Sequence, residues 1–166
     1  MGWMVAHGPG RLPRPRVAGN DDASIFRTMN ERVAETRIAV RTSELDSFGH
    51  VNHAVYLAYF EHARFEALKE AGFDWTVLDE RSWAIFVVRI EVDYLAEVGR
   101  EEHLLIRTRA DSFRRTSMVL VQEMTRDDDS GTVVARARVT AVWIGPNRRP
   151  MRVPPDVRDG LTRTLD

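Results

Sequence analysis

The run Asp46-Ser-Phe-Gly-His-Val-Asn-His-Ala-Val-Tyr56 sets a carboxylate, a glycine, an asparagine and two histidines directly ahead of an apolar stretch. An aspartate side chain is an anion at neutral pH. It can act as a nucleophile or, where desolvated, as a general base. Shortly before a glycine it can equally be a turn residue whose oxygen caps backbone amides. Residue type alone leaves both roles for Asp46 open. Asn52 is suited to cap a helix that starts at His53. The first turn of such a helix presents backbone N–H groups and the positive end of its dipole. An acyl carbonyl laid against the amides from His53 through Ala54 to Tyr56 is polarised there. The combination suits a greasy substrate whose polar end is attacked.

His50 and His53 are three residues apart with Asp46 nearby, but the H-E-x-x-H zinc motif is absent and no further ligands stand out, so no metal site is expected. His53 fits either a hydrogen-bonded helix-start residue or a group that positions a carbonyl or moves a proton. Glu61 and Arg64, also three apart, predict an ion pair on the helix, with a catalytic Glu61 as the alternative. There is no G-x-S-x-G elbow, P-loop or G-x-G-x-x-G turn. Arg114 and Arg115, and Arg148, Arg149 and Arg152, form two basic clusters at strand ends. They are either solvated ends or contacts for the phosphates of a nucleotide-bearing carrier.

The positioning elements follow from periodicity. Thr36–Thr42 alternates and is β-branched, which predicts a strand. From His53 to Ala71 there is neither Gly nor Pro, and Gly72 offers a stop, so one long helix is predicted. Its first half, Ala54–Phe60, is apolar nearly all round, which predicts protein on every side. Four strands follow, at Ile85–Tyr94, Glu102–Ala110, Ser117–Thr125 and Thr132–Ile144. On the last, Val133, Ala135, Ala137, Val139, Ala141 and Trp143 share a face, and the alanines leave room for something bulky. Short links between successive strands make the sheet antiparallel and the class α+β. The stretch from Pro146 reads as a basic, proline-rich tail.

A chain of 166 residues, 43% hydrophobic, is one domain with a real core. A net charge of −1 gives no field that draws it to nucleic acid or a membrane, and no apolar run is long enough to span a bilayer. Without cysteine there is no disulfide, thiolate site or Cys nucleophile. With no leader-like segment, a cytoplasmic protein is the simplest reading. Residues 1–33 are rich in Gly, Pro and Arg and are expected to form a mobile extension, with a phosphate-touching arm or a true start at Met29 as alternatives; residues 34–160 are expected to form the domain.

The blocks Asp46-x-x-Gly-His-Val-Asn-His-Ala-x-Tyr56, Tyr59-Phe-Glu-x-Ala-Arg64, Phe86-Val-Val-Arg-Ile-Glu-Val-Asp-Tyr94 and Arg114-Arg-Thr-Ser117 resemble the hot-dog-fold acyl-CoA thioesterases, specifically the 4-hydroxybenzoyl-CoA thioesterase-like group. The resemblance covers Glu35 to about Pro155. It implies a long central helix wrapped by a five-stranded antiparallel sheet, paired as a homodimer and further as a tetramer, a dimer of dimers. It implies hydrolysis of an acyl-CoA, or of an acyl carrier protein thioester, without a cofactor. Asp46 is then the essential carboxylate, as nucleophile or as base for water, and the amides at His53 to Tyr56 hold the carbonyl. Gly49, Asn52, Ala54, Tyr56, Glu61, Arg89 and Ser117 are expected to contact substrate. Many relatives have Asn where this chain has His53, so His53 either adds proton transfer or carbonyl binding or merely substitutes. Phe48, Phe60, Trp83 and Phe86 are further candidates to line an acyl pocket. The alternatives within this fold are a non-catalytic acyl-CoA binding module and an enoyl-CoA hydratase.

Overall fold

The computed structural model describes residues 32–163. The mobile extension expected over residues 1–33 lies outside that range except for Arg32 and Val33. Arg32 is anchored: its guanidinium donates to the carbonyls of Gly160 (3.1 Å) and Glu70 (2.7 Å).

The elements are β1 (Ala34–Ala39), a 3-10 turn at Thr42–Glu44, α1 (His53–Glu70), α2 (Trp75–Glu80), β2 (Ala84–Tyr94), β3 (His103–Phe113), β4 (Ser117–Arg126), β5 (Val133–Ile144) and α3 (Pro155–Thr162). The five strands form one antiparallel sheet in the order β1-β3-β4-β5-β2. Strands β1 and β2 are consecutive in sequence yet lie at opposite edges. The chain between them, chiefly α1, must therefore cross a face of the sheet. This is the α+β hot-dog arrangement, a central helix wrapped by five strands.

Helix α1 packs through Tyr56, Tyr59, Phe60, Ala63, Ala67 and Leu68. The β5 alanines make the space: Ala135, Ala137 and Val139 join Tyr56, Tyr59 and Phe60 in one cluster, while Ala141 and Trp143 join Leu68 in a second. The expectation of protein on every side of α1 fails within a single chain. Ala54, Leu57 and Ala58 are exposed, because the sheet covers only one side of the helix.

Strand β2 alternates, but with a change of phase. A bulge falls between Val87 and Arg89, so Val88 is the extra residue. Before it Ile85 packs on the core; after it Ile90 and Val92 do.

Two helices escaped the sequence reading. α2 has only six residues. α3 hides in the proline-rich tail, because Pro155 opens the helix, where a missing N–H costs nothing. Val157 and Leu161 of α3 are buried with Leu68, Phe73 and Trp143. Gly160 is required there, since a Cβ would come within 2.8 Å of the Ala71 carbonyl.

Candidate active site

Asp46 sits half-buried in a tight loop between the 3-10 turn and α1. Its Oδ1 accepts from the N–H of Phe48 (2.8 Å) and of His50 (3.2 Å). Its backbone N–H donates to the His50 carbonyl (2.8 Å), and Gly49 N–H donates to the Asp46 carbonyl (3.1 Å). Gly49 turns the loop at φ +83°, a left-handed conformation that disfavours a side chain. A bridge between Leu45 and Val51 closes the loop, and Val51 N–H donates to Val98 O (2.8 Å). Asp46 Oδ2 makes no hydrogen bond or ion pair among the described residues. One oxygen builds the turn and the other is presented.

Asn52 caps α1 as its residue type predicts, its Oδ1 accepting from Ala54 N–H (2.9 Å). Its carbonyl accepts from Val55 N–H (2.8 Å). The amides of Ala54 and Val55 are thus occupied, whereas the His53 N–H meets no acceptor among the described residues. Of the amides expected to hold a carbonyl, those of Ala54 and Val55 are therefore already taken within the chain. The His53 imidazole is exposed and makes no hydrogen bond or ion pair. His50 instead lies 3.5 Å from Glu97. Among the described residues no cluster of three or more His, Asp or Glu could hold a metal ion.

Three tyrosines fix the helix start. Tyr94, at the end of β2, donates from its hydroxyl to the His53 carbonyl (3.0 Å), which ties the helix start to that end of the strand. Its ring meets Tyr56 edge-on at 5.2 Å. Burial, with Glu102 nearby, pushes the Tyr56 phenol up to about 12. Tyr59 donates to Glu44 Oε2 (2.6 Å), and burial together with this carboxylate raises its pKa.

The predicted Glu61–Arg64 ion pair does not form. Arg64 turns inward and donates from Nη1 to Gln122 Oε1 (2.9 Å), leaving Glu61 exposed without a hydrogen bond or ion pair. Gln122 is fully buried and donates to Phe60 O (2.9 Å) and Thr108 Oγ1 (3.0 Å). A polar side chain in the alternation Met118, Leu120, Gln122, Met124 was the available signal for this network. Glu61 and Arg64 line a pocket of ≈ 290 Å³ between α1 and the sheet, walled by Phe65, Leu68, Phe86 and Met118 among others. Of the other aromatic candidates, Phe48 is exposed on the loop, and Phe60 and Trp83 belong to the core clusters.

Ser117 and Arg89 are not brought to Asp46. Ser117 pairs with Val142 of β5, whereas Tyr94, next to His53, pairs with Ala135. Seven residues of β5 at about 3.3 Å each separate them by roughly 23 Å. Arg89 lies midway along β2, paired with Glu91 at 2.8 Å. The two arginine clusters do converge, at the Ser117 end. Val153 N–H donates to Arg115 O (2.9 Å), and the Arg158 guanidinium donates to Arg114 O (2.6 Å). Arg114, Arg115, Arg148, Arg149 and Arg152 are all exposed, and none makes an ion pair among the described residues. No helix of the described residues is long and apolar enough to cross a membrane.

Residues 40–161 match the model of a family described as the thioesterase-like superfamily. The acyl-acyl carrier protein thioesterase ATL2 of Arabidopsis thaliana chloroplasts is 29% identical over 124 residues, a match covering 75% of this chain and 65% of that protein. The acyl-CoA thioester hydrolase YbgC of Escherichia coli O157:H7 is 30% identical over 127 residues, covering 76% of this chain and 93% of the relative. The solved structure of YbaW, a probable thioesterase from Escherichia coli, superposes with a TM-score of 0.68 at 30% identity, over 77% of this chain and 96% of that one.

Proposed function

The chain belongs to the thioesterase-like superfamily and is a thioester hydrolase, and from that premise we propose that it cleaves acyl-CoA with Asp46 and the start of α1. The observation that carries this reading is an unengaged carboxylate oxygen and an unengaged backbone N–H, Asp46 Oδ2 and His53 N–H, at one loop–helix junction. Asp46 Oδ2 attacks the thioester carbon, or takes a proton from the water that does. The carbonyl oxygen gains negative charge and is held by the His53 N–H. The C–S bond breaks and CoA leaves as a thiol once protonated. On the general-base route the attacking water's oxygen stays on the acyl carbon as the free acid. On the nucleophilic route a water then cleaves the acyl-Asp46 anhydride to the free acid and restores the carboxylate. In this reading the exposed His53 imidazole delivers the proton. CoA is the proposed carrier, since unpaired arginines suit its phosphates. An acyl carrier protein is the second reading, favoured by the activity named for ATL2.

The proposal includes a homodimer. Strand β2 is an edge whose outer N–H and C=O groups are unpaired, and it exposes Phe86 (53%), Val88 (60%) and Tyr94 (48%). Such an edge pairs with another chain unless it is covered. Antiparallel pairing of two β2 strands about a two-fold axis carries the Tyr94 end of one copy to the Phe86 end of the other. Asp46 and His53 of one copy then meet the pocket, Glu61 and the arginines of its partner, groups that one chain holds far apart. A register centred on Ile90 sets each Arg89 against the partner's Glu91, whereas one centred on Arg89 opposes like charges. Two such dimers form the proposed tetramer, covering Leu57 and its neighbours on α1.

The test is thiol release from a panel of acyl-CoA substrates by wild type and Asp46→Asn. Wild type should turn over, and the variant should fall by at least about 100-fold. An equally active variant refutes Asp46 as the attacking group. Tight binding without turnover points to a binding module, and water addition to enoyl-CoA points to a hydratase.

A further inference from the structure

The pocket between α1 and the sheet has apolar walls but one cation inside. Arg64 is 9% exposed, so nine-tenths of it is withdrawn from water. No carboxylate lies within ion-pair distance among the described residues, and its single hydrogen-bond partner, Gln122, is neutral. Gln122 cannot turn to offer more, because its amide nitrogen is fixed by Phe60 O and Thr108 Oγ1. A guanidinium carries five N–H donors; Nε and Nη2 of Arg64 make no hydrogen bond among the described residues. Burial lowers the pKa of this arginine, the direction expected for a charge short of compensation. The unbonded donors open onto the pocket rather than being sealed in, and apolar atoms pressed against them strip their water without offering an acceptor, which is costly. Glu61, also at the pocket, is exposed and offsets part of this cost by its charge, without coming within ion-pair distance of the guanidinium.

We propose that Arg64 selects acyl groups that carry an oxygen acceptor, a ketone or carboxylate, toward the end remote from the thioester. The inference rests on the thioesterase reading and adds the substrate class. The pocket's ≈ 290 Å³ is about twice a cavity that holds benzene, enough for a medium-length acyl tail with its terminal group. The acceptor takes the free Nε and Nη2 donors, and the apolar walls take the chain. An unsubstituted acyl tail must instead end against an incompletely compensated guanidinium. Arg64 is thus a specificity-determining residue, and the remote oxygen lies away from the bond that Asp46 attacks.

Octanoyl-CoA, its 7-oxo analogue and its ω-carboxyl analogue form the test set. Binding to Asp46→Asn by calorimetry is measured beside hydrolysis by wild type. An oxygenated analogue should bind about tenfold or more tightly than octanoyl-CoA, and should gain similarly in kcat/KM. Whether ketone or carboxylate gains more identifies the natural acceptor. In Arg64→Met the preference should collapse toward unity, whereas a merely structural role would weaken all three ligands alike. Should Arg64→Met not fold, the wild-type comparison decides alone. Equal affinity and equal kcat/KM for the three overturn the inference while leaving the thioesterase intact. Hydrolysis of none of them, nor of any panel member, counts against the thioesterase itself.

Discussion

If the site is shared between copies, two inactive variants should repair one another. Let one variant carry Asp46→Asn and a second carry Arg114→Glu with Arg115→Glu. In one chain the two lesions lie at opposite ends of the sheet, roughly 23 Å apart along β5. Across a β2–β2 two-fold axis, Asp46 of one copy faces the arginines of the other. A mixed dimer then has one site with both lesions and one with neither. Random reassociation makes about half the dimers mixed, each with one of two sites intact, so activity should recover to about one quarter of wild type. A site contained in one chain behaves differently, since every site keeps one lesion and activity stays at the level of the parents. The assay is thiol release from acyl-CoA after the two variants are co-expressed with different tags and the doubly tagged species is isolated. That species should show about half the wild-type rate. Activity no higher than that of the parents, in a species shown to be dimeric, would refute the shared site.

Asp46→Ala should lose the two bonds at Oδ1 as well as the attacking oxygen, costing about 1–2 kcal/mol and about 3–6 °C in Tm by calorimetry, whereas Asp46→Asn keeps the acceptor and should melt near wild type. Arg89→Glu should weaken the dimer in sedimentation by setting like charges together, and Arg89→Glu with Glu91→Arg should restore it; an unaltered single variant counts against the Ile90-centred register. Tyr56, pushed up to about 12, keeps its proton in the native state after the unfolded chain, at 10.0, has lost its own. Its contribution is therefore complete below pH 10 and declines as pH rises toward about 12, and Tyr56→Phe should flatten that decline in denaturant melts across the alkaline range. Asn52→Ala should cost about 1 kcal/mol by urea titration and free the Ala54 amide, with loss of kcat if the helix start frays.

Where the sequence was a good guide, local pattern and tertiary fold agreed. The five strands and α1 follow from alternation and from the unbroken stretch between Asn52 and Gly72. The alanines of β5 foretold the helix that fills their space. The failures have particular causes. Prolines hid α3, because a proline in a first turn reads as a breaker in sequence and is tolerated in structure. The i, i+3 rule paired Glu61 with Arg64, but the rule concerns exposed helix surfaces, and Arg64 found Gln122 in the core instead. β2 was right as a strand, but a bulge at Val88, which has no signature in residue type, turns Val88 outward while Ile90 and Val92 pack on the core. For Asp46 the structure shows the turn role, at Oδ1, and leaves Oδ2 for the chemistry we propose.

The largest gap between pattern and structure concerns what one chain leaves uncovered. An α1 start that is apolar all round predicts a surrounded helix, yet the sheet of its own chain covers one side. Strand β2 carries Phe86 and Tyr94, residue types at home in a core, yet β2 is an edge and both are exposed. Both residue sets are chosen as though buried, and both are exposed. Hydrophobic patterning records the environment a residue occupies in the working assembly, while the fold of a single chain supplies only part of it. The same asymmetry holds for charge. Among the described residues Asp46 Oδ2, the His53 N–H and five arginines lack partners at two ends of one sheet, and the two-fold axis we propose through β2 would bring those ends together. In that proposed dimer the exposed apolar edge and the divided polar site become one feature, because the contact that buries the first would assemble the second.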